Sequence, residues 1–504
     1  MSKRFLLLVF LMPIQLFWSL GLKAQDSIRL DFSNNYQKVA WFGSTKQPLR
    51  AILMNNQLGW SGAFGYAEAA PSSPSQVPDR EKGYGFFSYG NRNVGKFMIE
   101  GEFSYLNERP DSVGWKQTRN ISSLPYYFAN IRRGNWINDL FQARVNVATT
   151  LLRERIYFGI GADYKLEQHN RGNDPRPRIS YFNLDLKGQL GIRLGTNHLV
   201  SVFAGQGRAT EIGNVRNYNA SNDSFGRLDY NLYTIMGFGS FNLLRRPRYE
   251  IKQQNESYGL GYYYRSSSWK IFNEFEFRRS METFLRQGSA TEQAEDSKIG
   301  DYDLLILENS LFIERQFDPQ RSILGNFKFS SLDGRDFNYL FSGFNYQYLG
   351  RSIHAEILYR YGKQVFGIHL SNWSEEKEDF NASHQMAYSQ GETAFSYNKK
   401  WEINSEWDII LEARYELGFN LSANLSVPDF QRNIFTESVA LPMMHWNSRE
   451  YMGLQAKVQV QKYFQKNIFA PFVQARIRNL TGESAQLFQE QIESQLRFGI
   501  NFIH

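Results

Sequence analysis

The chain has 504 residues, no cysteine, a formal net charge of +7, and is 42% hydrophobic but 16% aromatic, with 41 Phe and 29 Tyr. The missing cysteines exclude disulfide staples, a lipoprotein anchor, thiol catalysis and cysteine metal sites. Lys3, Arg4 and Lys23 lie in an N-terminal segment without acidic residues; setting them aside leaves +4, too weak a bias for a nucleic-acid binder.

Residues 1–24 have the parts of a secretory signal. Lys3 and Arg4 form a positive start, the run from Phe5 to Met12 opens an apolar stretch that reaches about Leu22, and Ala24 precedes Gln25 at a small-residue junction. Cleavage near Ala24 is expected. No later stretch holds 18 consecutive apolar residues, so no transmembrane helix is expected after it. Residues 25–80 are irregular, with Ala, Ser and Pro concentrated at 66–78. They read as a lead-in, a lumen plug or a first strand pair.

From Lys82 onward the pattern alternates with period two, the signature of strands with one apolar face. In residues 181–194 one face reads Phe182, Leu184, Leu186, Gly188, Leu190, Ile192, Leu194. The other reads Tyr181, Asn183, Asp185, Lys187, Gln189, Gly191, Arg193. Similar runs start at Phe97, Ile156, Ile353, Ile409 and Leu454. Such lengths exceed the usual strand of about 5–6 residues and suit the roughly 9–11 residues that a tilted strand needs to cross a bilayer. A transmembrane barrel reconciles modest hydrophobicity with many aromatics, because only alternate residues meet lipid and aromatic girdles mark both interfaces. The expected fold is all-β: a transmembrane antiparallel up-and-down barrel over residues 81–504, with about 14 strands and 12–18 admissible.

Asp333-Gly334, Leu349-Gly350 and Tyr361-Gly362 read as short turns. Residues 287–300, 372–383 and 428–449 read as loops. The chain ends on a strand in which Leu496, Phe498, Ile500 and Phe502 share a face, as terminal strands of outer-membrane barrels do.

The segment Asn173-Asp174-Pro175-Arg176-Pro177-Arg178 stands between two strong strands. Upstream lie Ser123-Leu124-Pro125-Tyr126, Gly101-Glu102-Phe103-Ser104-Tyr105 and Trp115. This series resembles an uncharacterised family of Bacteroidota outer-membrane β-barrels often found beside TonB-dependent receptors. The resemblance spans most of residues 80–500. It implies residence in the outer membrane and a TonB-dependent receptor as a partner; it implies no activity.

Asp174, Arg176 and Arg178 are the candidate partner- or ligand-binding residues. Each proline restricts its neighbours, so the segment is stiff and extended. Two arginines at fixed separation suit a carboxylate, a phosphate or an acidic partner. The competing reading is a rigid turn whose arginines pair with Asp174 or with barrel carboxylates. Met443, Met444 and His445 hold soft-metal donors, but successive residues of an extended chain face opposite sides, so a packed loop is the better reading. Residues 375–379 read as a solvated acidic tip.

The seven histidines are scattered, and no catalytic, nucleotide or zinc motif is present. No enzyme, cofactor or metal is expected. Three functions remain: an accessory to a TonB-dependent nutrient uptake system, a passive or selective channel with lumen charges such as Lys187, Arg193, Glu412 and Arg414, and a surface polysaccharide assembly barrel with Trp373 and Trp446 in loops.

Overall fold

The computed structural model describes residues 47–50, 52, 58–70, 73–219, 228–244, 248–286, 297–464, 467–482, 486 and 491–503. The signal-like segment 1–24 lies outside the described residues.

The wall begins with β1 (Leu58–Ala69), β2 (Arg80–Val94), β3 (Phe97–Asp111), β5 (Trp136–Leu151), β6 (Ile156–Arg171), β7 (Arg176–Leu194) and β8 (His198–Arg216). It continues with β11 (Arg248–Arg265), β12 (Trp269–Arg286), β13 (Ser297–Gln316), β14 (Arg321–Asn338), β15 (Tyr346–Tyr361) and β16 (Gln364–Asp379). It ends with β17 (His384–Glu402), β18 (Trp407–Ser426), β19 (Glu450–Phe464), β20 (Asn467–Thr481) and β21 (Ile492–Ile503). Each strand pairs antiparallel with its neighbours, and β21 pairs back onto β1, Trp60 opposite Ile503, so 18 strands close with no free edge between first and last. The expected count of about 14 is therefore corrected to 18. The wall opens at Leu58, ahead of the expected start at 81 and inside the stretch 25–80 read as a lead-in, a lumen plug or a first strand pair.

The alternation sorts lipid from lumen as read. In β7, Phe182, Leu186, Leu190, Ile192 and Leu194 are exposed on the outside, while Tyr181, Asn183 and Gln189 are buried in the lumen. In β21, Leu496, Phe498, Ile500 and Phe502 all face out. Wall strands run from 12 to 20 residues, so many project beyond the thickness a bilayer covers. This explains the missed strands. Above the apolar band the outward face turns polar, as with Asp301 and Asp303 in β13 or Asn372 and Glu376 in β16, and the hydrophobic alternation fades.

Two expected turns, Asp333-Gly334 and Leu349-Gly350, lie inside β14 and β15. Gly334 is there because the Tyr302 ring of β13 lies across it, and a Cβ would collide with the phenol. Tyr361-Gly362 is a turn, with Gly362 at φ +58°. The expected loop at 372–383 is mostly strand: residues 375–379 belong to β16, and Asp379 is fully buried.

One end of the barrel has short connections (95–96, 152–155, 195–197, 266–268, 317–320, 362–363, 403–406). The other has long ones, above all 112–135, 217–247 and 427–449. In bacterial barrels short turns face the periplasm and long loops the exterior. The described parts of these long loops fold inward. β4 (Tyr126–Ala129), β9 (Leu232–Met236) and β10 (Phe241–Leu244) form a separate three-stranded sheet. Every residue of β4 and β9 is buried. Their continuous burial, without alternation, is what an enclosed strand shows.

Candidate functional site

The lumen is the natural place to look, and it is filled from both ends. At the loop end the inner sheet packs into one apolar cluster with Tyr249 and Ile251 of β11, Phe284 of β12, Tyr302 of β13 and Tyr346 of β15. Polar ties run from the inner sheet and the connection leading into it to part of the wall. Arg119 meets Glu211 of β8 at 3.3 Å and Glu167 of β6 at 3.5 Å. The Tyr126 hydroxyl donates to Asp336 of β14 at 2.6 Å. The Asn345 side chain donates to the Met236 carbonyl at 2.7 Å.

The tip between β9 and β10 is Gly237-Phe238-Gly239. Both glycines have positive φ, +139° and +134°, a region closed to side chains. That conformation aims the N–H groups of Phe238 and Ser240 at the Asp379 carboxylate, at 2.8 and 2.9 Å. Beside it His384 is hydrogen-bonded to Thr436 at 2.7 Å. The loop expected here is corrected: residues 441–447 form a helix, α1 (Leu441–Asn447), with Met444 and Trp446 buried. Successive helix positions point about 100° apart, so Met443, Met444 and His445 do not converge on a metal.

At the turn end an N-terminal arm, residues 47–50 with Ile52, enters the lumen. Leu49 packs with Ala148, Tyr157, Leu199, Tyr263, Phe272 and Phe312, and its N–H donates to the Gln189 side chain at 2.8 Å. Gly159 makes room: a Cβ there would stand 2.9 Å from Pro48. The guanidinium of Arg50 forms a fully buried ion pair with Glu100 of β3, and Gln47 reaches Glu276 of β12 at 3.4 Å.

Between arm and inner sheet the lumen leaves a partly open cleft bounded by Arg144, Asp163, Asp185, Lys187, Asn255 and Arg278 among others. Its charges are mutually satisfied. Arg144 pairs with Asp163 at 2.9 Å and Glu102 at 3.1 Å, and Lys187 with Glu276 at 2.8 Å. Across the lumen, Glu416 sits between Arg414, Arg476 and Arg478 at 2.7–3.1 Å. The positions read as channel charges are thus paired: Lys187 and Arg414 as above, Arg193 with Glu154 at 3.0 Å, Glu412 with Lys457 at 4.0 Å.

One constellation was invisible in the sequence because three strands assemble it. His369 of β16 lies 3.1 Å from Glu356 of β15 and 2.9 Å from the Ser396 hydroxyl of β17. The order serine, imidazole, carboxylate is that of hydrolytic triads. Acyl transfer also needs donors for an oxyanion, most often backbone N–H groups. Here Ser396 is paired with Gly367 on one side and Arg414 on the other, so the ladder takes the backbone around it. Among the described residues no group of three or more His, Cys, Asp or Glu is placed to hold a metal.

The residues singled out in the sequence sit elsewhere, on the outer rim. Asp174, in the connection 172–175, is buried, accepts the Asn219 N–H at 3.0 Å and pairs with Arg176 at 2.8 Å. Arg176 and Arg178 both lie in β7 on its outward face, two residues apart. Arg178 donates to the hydroxyl of Tyr218 at 2.7 Å. Trp373 faces inward and packs against the inner-sheet cluster; Trp446 is buried under Arg449, 4.0 Å from its ring. Neither stands in an open loop as expected.

Closed antiparallel pairing, an apolar outer band, a polar lumen and short turns opposite long loops define an outer-membrane-type β-barrel with an occupied lumen. The chain belongs to a family of unknown function, DUF6850, whose model matches residues 56–503. No curated protein matches the sequence. Among solved structures, the chain is similar to the ferric yersiniabactin uptake receptor FyuA from Yersinia pestis, at 8% identity and TM-score 0.43, covering 89% of this chain and 80% of that one. It is similar to the ferric-catecholate import receptor Fiu from E. coli K12 at 7% identity and TM-score 0.40, covering 89% and 82%. It is also similar to a monoaromatic hydrocarbon channel, TodX, at 9% identity and TM-score 0.32, covering 92% and 94%. The likeness is one of general architecture.

Proposed function

We propose that this chain is a non-enzymatic outer-membrane barrel, closed at rest, that serves as an accessory to a TonB-dependent nutrient uptake system. The observation that carries the closed state is the inner sheet, tied to β14 and β16 across the lumen, while Arg119 of the connection leading into it pairs with β6 and β8. A barrel filled in this way works through its loops and outer face. The receptor partnership is supported by the resemblance of 101–105 and 173–178 to barrels found beside such receptors. Affinity purification of the tagged chain from native outer membranes in mild detergent tests it. A stoichiometric TonB-dependent receptor is the expected result; recovery of the chain alone overturns the partnership.

A second reading, a selective channel opened by withdrawal of the arm, is favoured by the charged cleft behind Leu49 and Arg50. Planar-bilayer conductance separates the two readings. The polysaccharide reading rested on Trp373 and Trp446 standing in loops; Trp373 instead lies in β16 facing the lumen, and Trp446 is buried.

A further inference from the structure

On the outer face of the barrel, at the loop end of β7 and β8, three guanidinium groups gather around one phenol. Arg176, Arg216 and Arg178 lie 4.5, 4.9 and 6.0 Å from the centre of the Tyr218 ring. Arg178 and Arg216 both donate to its hydroxyl, at 2.7 and 3.2 Å. Arg176 stands directly opposite Arg216 in the strand pairing, and like charges directly opposite destabilise a sheet. One carboxylate, Asp174, offsets Arg176. Among the described residues neither Arg178 nor Arg216 has a carboxylate partner. The donation from Arg216 and the nearby charge of Arg178 and Arg176 hold the Tyr218 phenol below its ordinary range. This is a concentrated positive field on a surface that spends sheet stability to keep it.

Its height fits a particular anion. The last large apolar residues on the outward faces of β7 and β8 are Phe182 and Ile212; Arg178 lies four residues beyond the first and Arg216 four beyond the second. At about 3.3 Å per residue and a tilt near 40°, that is roughly 10 Å above the edge of the apolar band. The headgroup layer spans about 5–8 Å beyond the hydrocarbon, which brings it within reach of an arginine side chain. The long-loop end faces the exterior, so the layer in question is the outer leaflet.

We propose that Arg176, Arg178 and Arg216, braced by Tyr218, form a phosphate-binding site for the phosphorylated glycolipid of the outer leaflet. Guanidinium forks match phosphate oxygens in geometry and charge. The anion would relieve the repulsion between Arg176 and Arg216. Asp174 acts as a positioning residue that orients Arg176. The site rests on outer-membrane residence, but not on any receptor partner.

The test is native mass spectrometry of the full chain extracted from outer membranes, beside the double variant Arg178→Gln/Arg216→Gln. Recovery in the outer-membrane fraction and heat-modifiable migration report residence and folding separately. The wild type is expected to retain diphosphorylated glycolipid, and the variant to lose it at least tenfold while folding normally. Rebinding by delipidated protein is then compared for diphosphorylated glycolipid, its dephosphorylated form and inorganic phosphate. Equal retention by variant and wild type overturns the proposal, as does equal binding of the dephosphorylated lipid. Displacement of the glycolipid by millimolar inorganic phosphate would make this a soluble-anion site and overturn the lipid assignment.

Discussion

The carboxylate of Asp379, at the loop end of β16, accepts the backbone N–H of Phe238 at 2.8 Å, and so fastens the inner sheet to the wall. It also takes the N–H and hydroxyl of Ser240 and the N–H of Ala382, at 2.9–3.0 Å. Leaving a buried donor unpaired costs about 1–3 kcal/mol, and Asp379→Ala strands several at once. We expect a local loss of about 3 kcal/mol. Hydrogen exchange at Phe238 and Ser240 should then accelerate by about 100-fold, with the wall strands unchanged. Unaltered exchange at those two amides would show that the apolar cluster alone holds the sheet.

Gly334 and Tyr302 make a second pair, in the wall itself. The phenol of Tyr302 lies where a side chain at Gly334 would stand. Gly334→Val should therefore destabilise the barrel by about 1–3 kcal/mol through overpacking. Because the clash needs both partners, adding Tyr302→Ala should recover part of that loss. A double-mutant cycle followed by urea unfolding in micelles would read a coupling of about 0.5 kcal/mol or more. Strict additivity would mean that the glycine serves backbone geometry and not the ring.

The same pair shows what the sequence could and could not disclose. A single chain displays its own alternation, and the lipid and lumen faces of β7 and β21 were legible from it. It does not display the neighbouring strand, so a glycine that accommodates a ring next door looks like a turn. The inner sheet was hidden for a related reason. Tyr126-Tyr127-Phe128-Ala129 and Leu232–Met236 are short apolar runs without alternation, which periodicity alone does not separate from a piece of buried helix. Arg176 and Arg178 could be singled out by their prolines, whereas Arg216 and Tyr218, about 40 residues away, join them only through strand pairing.

The triad-like chain of Ser396, His369 and Glu356 yields a negative expectation. The surrounding backbone is committed to the ladder, so Ser396 should not act as a nucleophile. A fluorophosphonate probe should leave the folded protein unlabelled, and Ser396→Ala should match the wild type in ester hydrolysis. Stoichiometric labelling that disappears in Ser396→Ala would establish an acyl-transfer site and overturn the non-enzymatic reading.

The arm at the turn end is held chiefly by the apolar seat of Leu49 and by the buried pair of Arg50 with Glu100. Removing one partner of a buried pair typically costs about 3–5 kcal/mol, because the other charge is stranded. Glu100 is also within 3.4 Å of the Asn146 side chain, which cannot neutralise it. Arg50→Ala should therefore drive the arm out of the lumen and let water in to solvate Glu100. If the inner sheet is an independent seal, planar bilayers should stay silent for Arg50→Ala and for Asp379→Ala alone, and conduct when both substitutions are combined. Conductance in Arg50→Ala alone would show that the loop end leaks and that the arm is the gate of a channel. Silence in the combined variant would mean that the paired charges around Glu416 and Arg144 close the lumen without either plug.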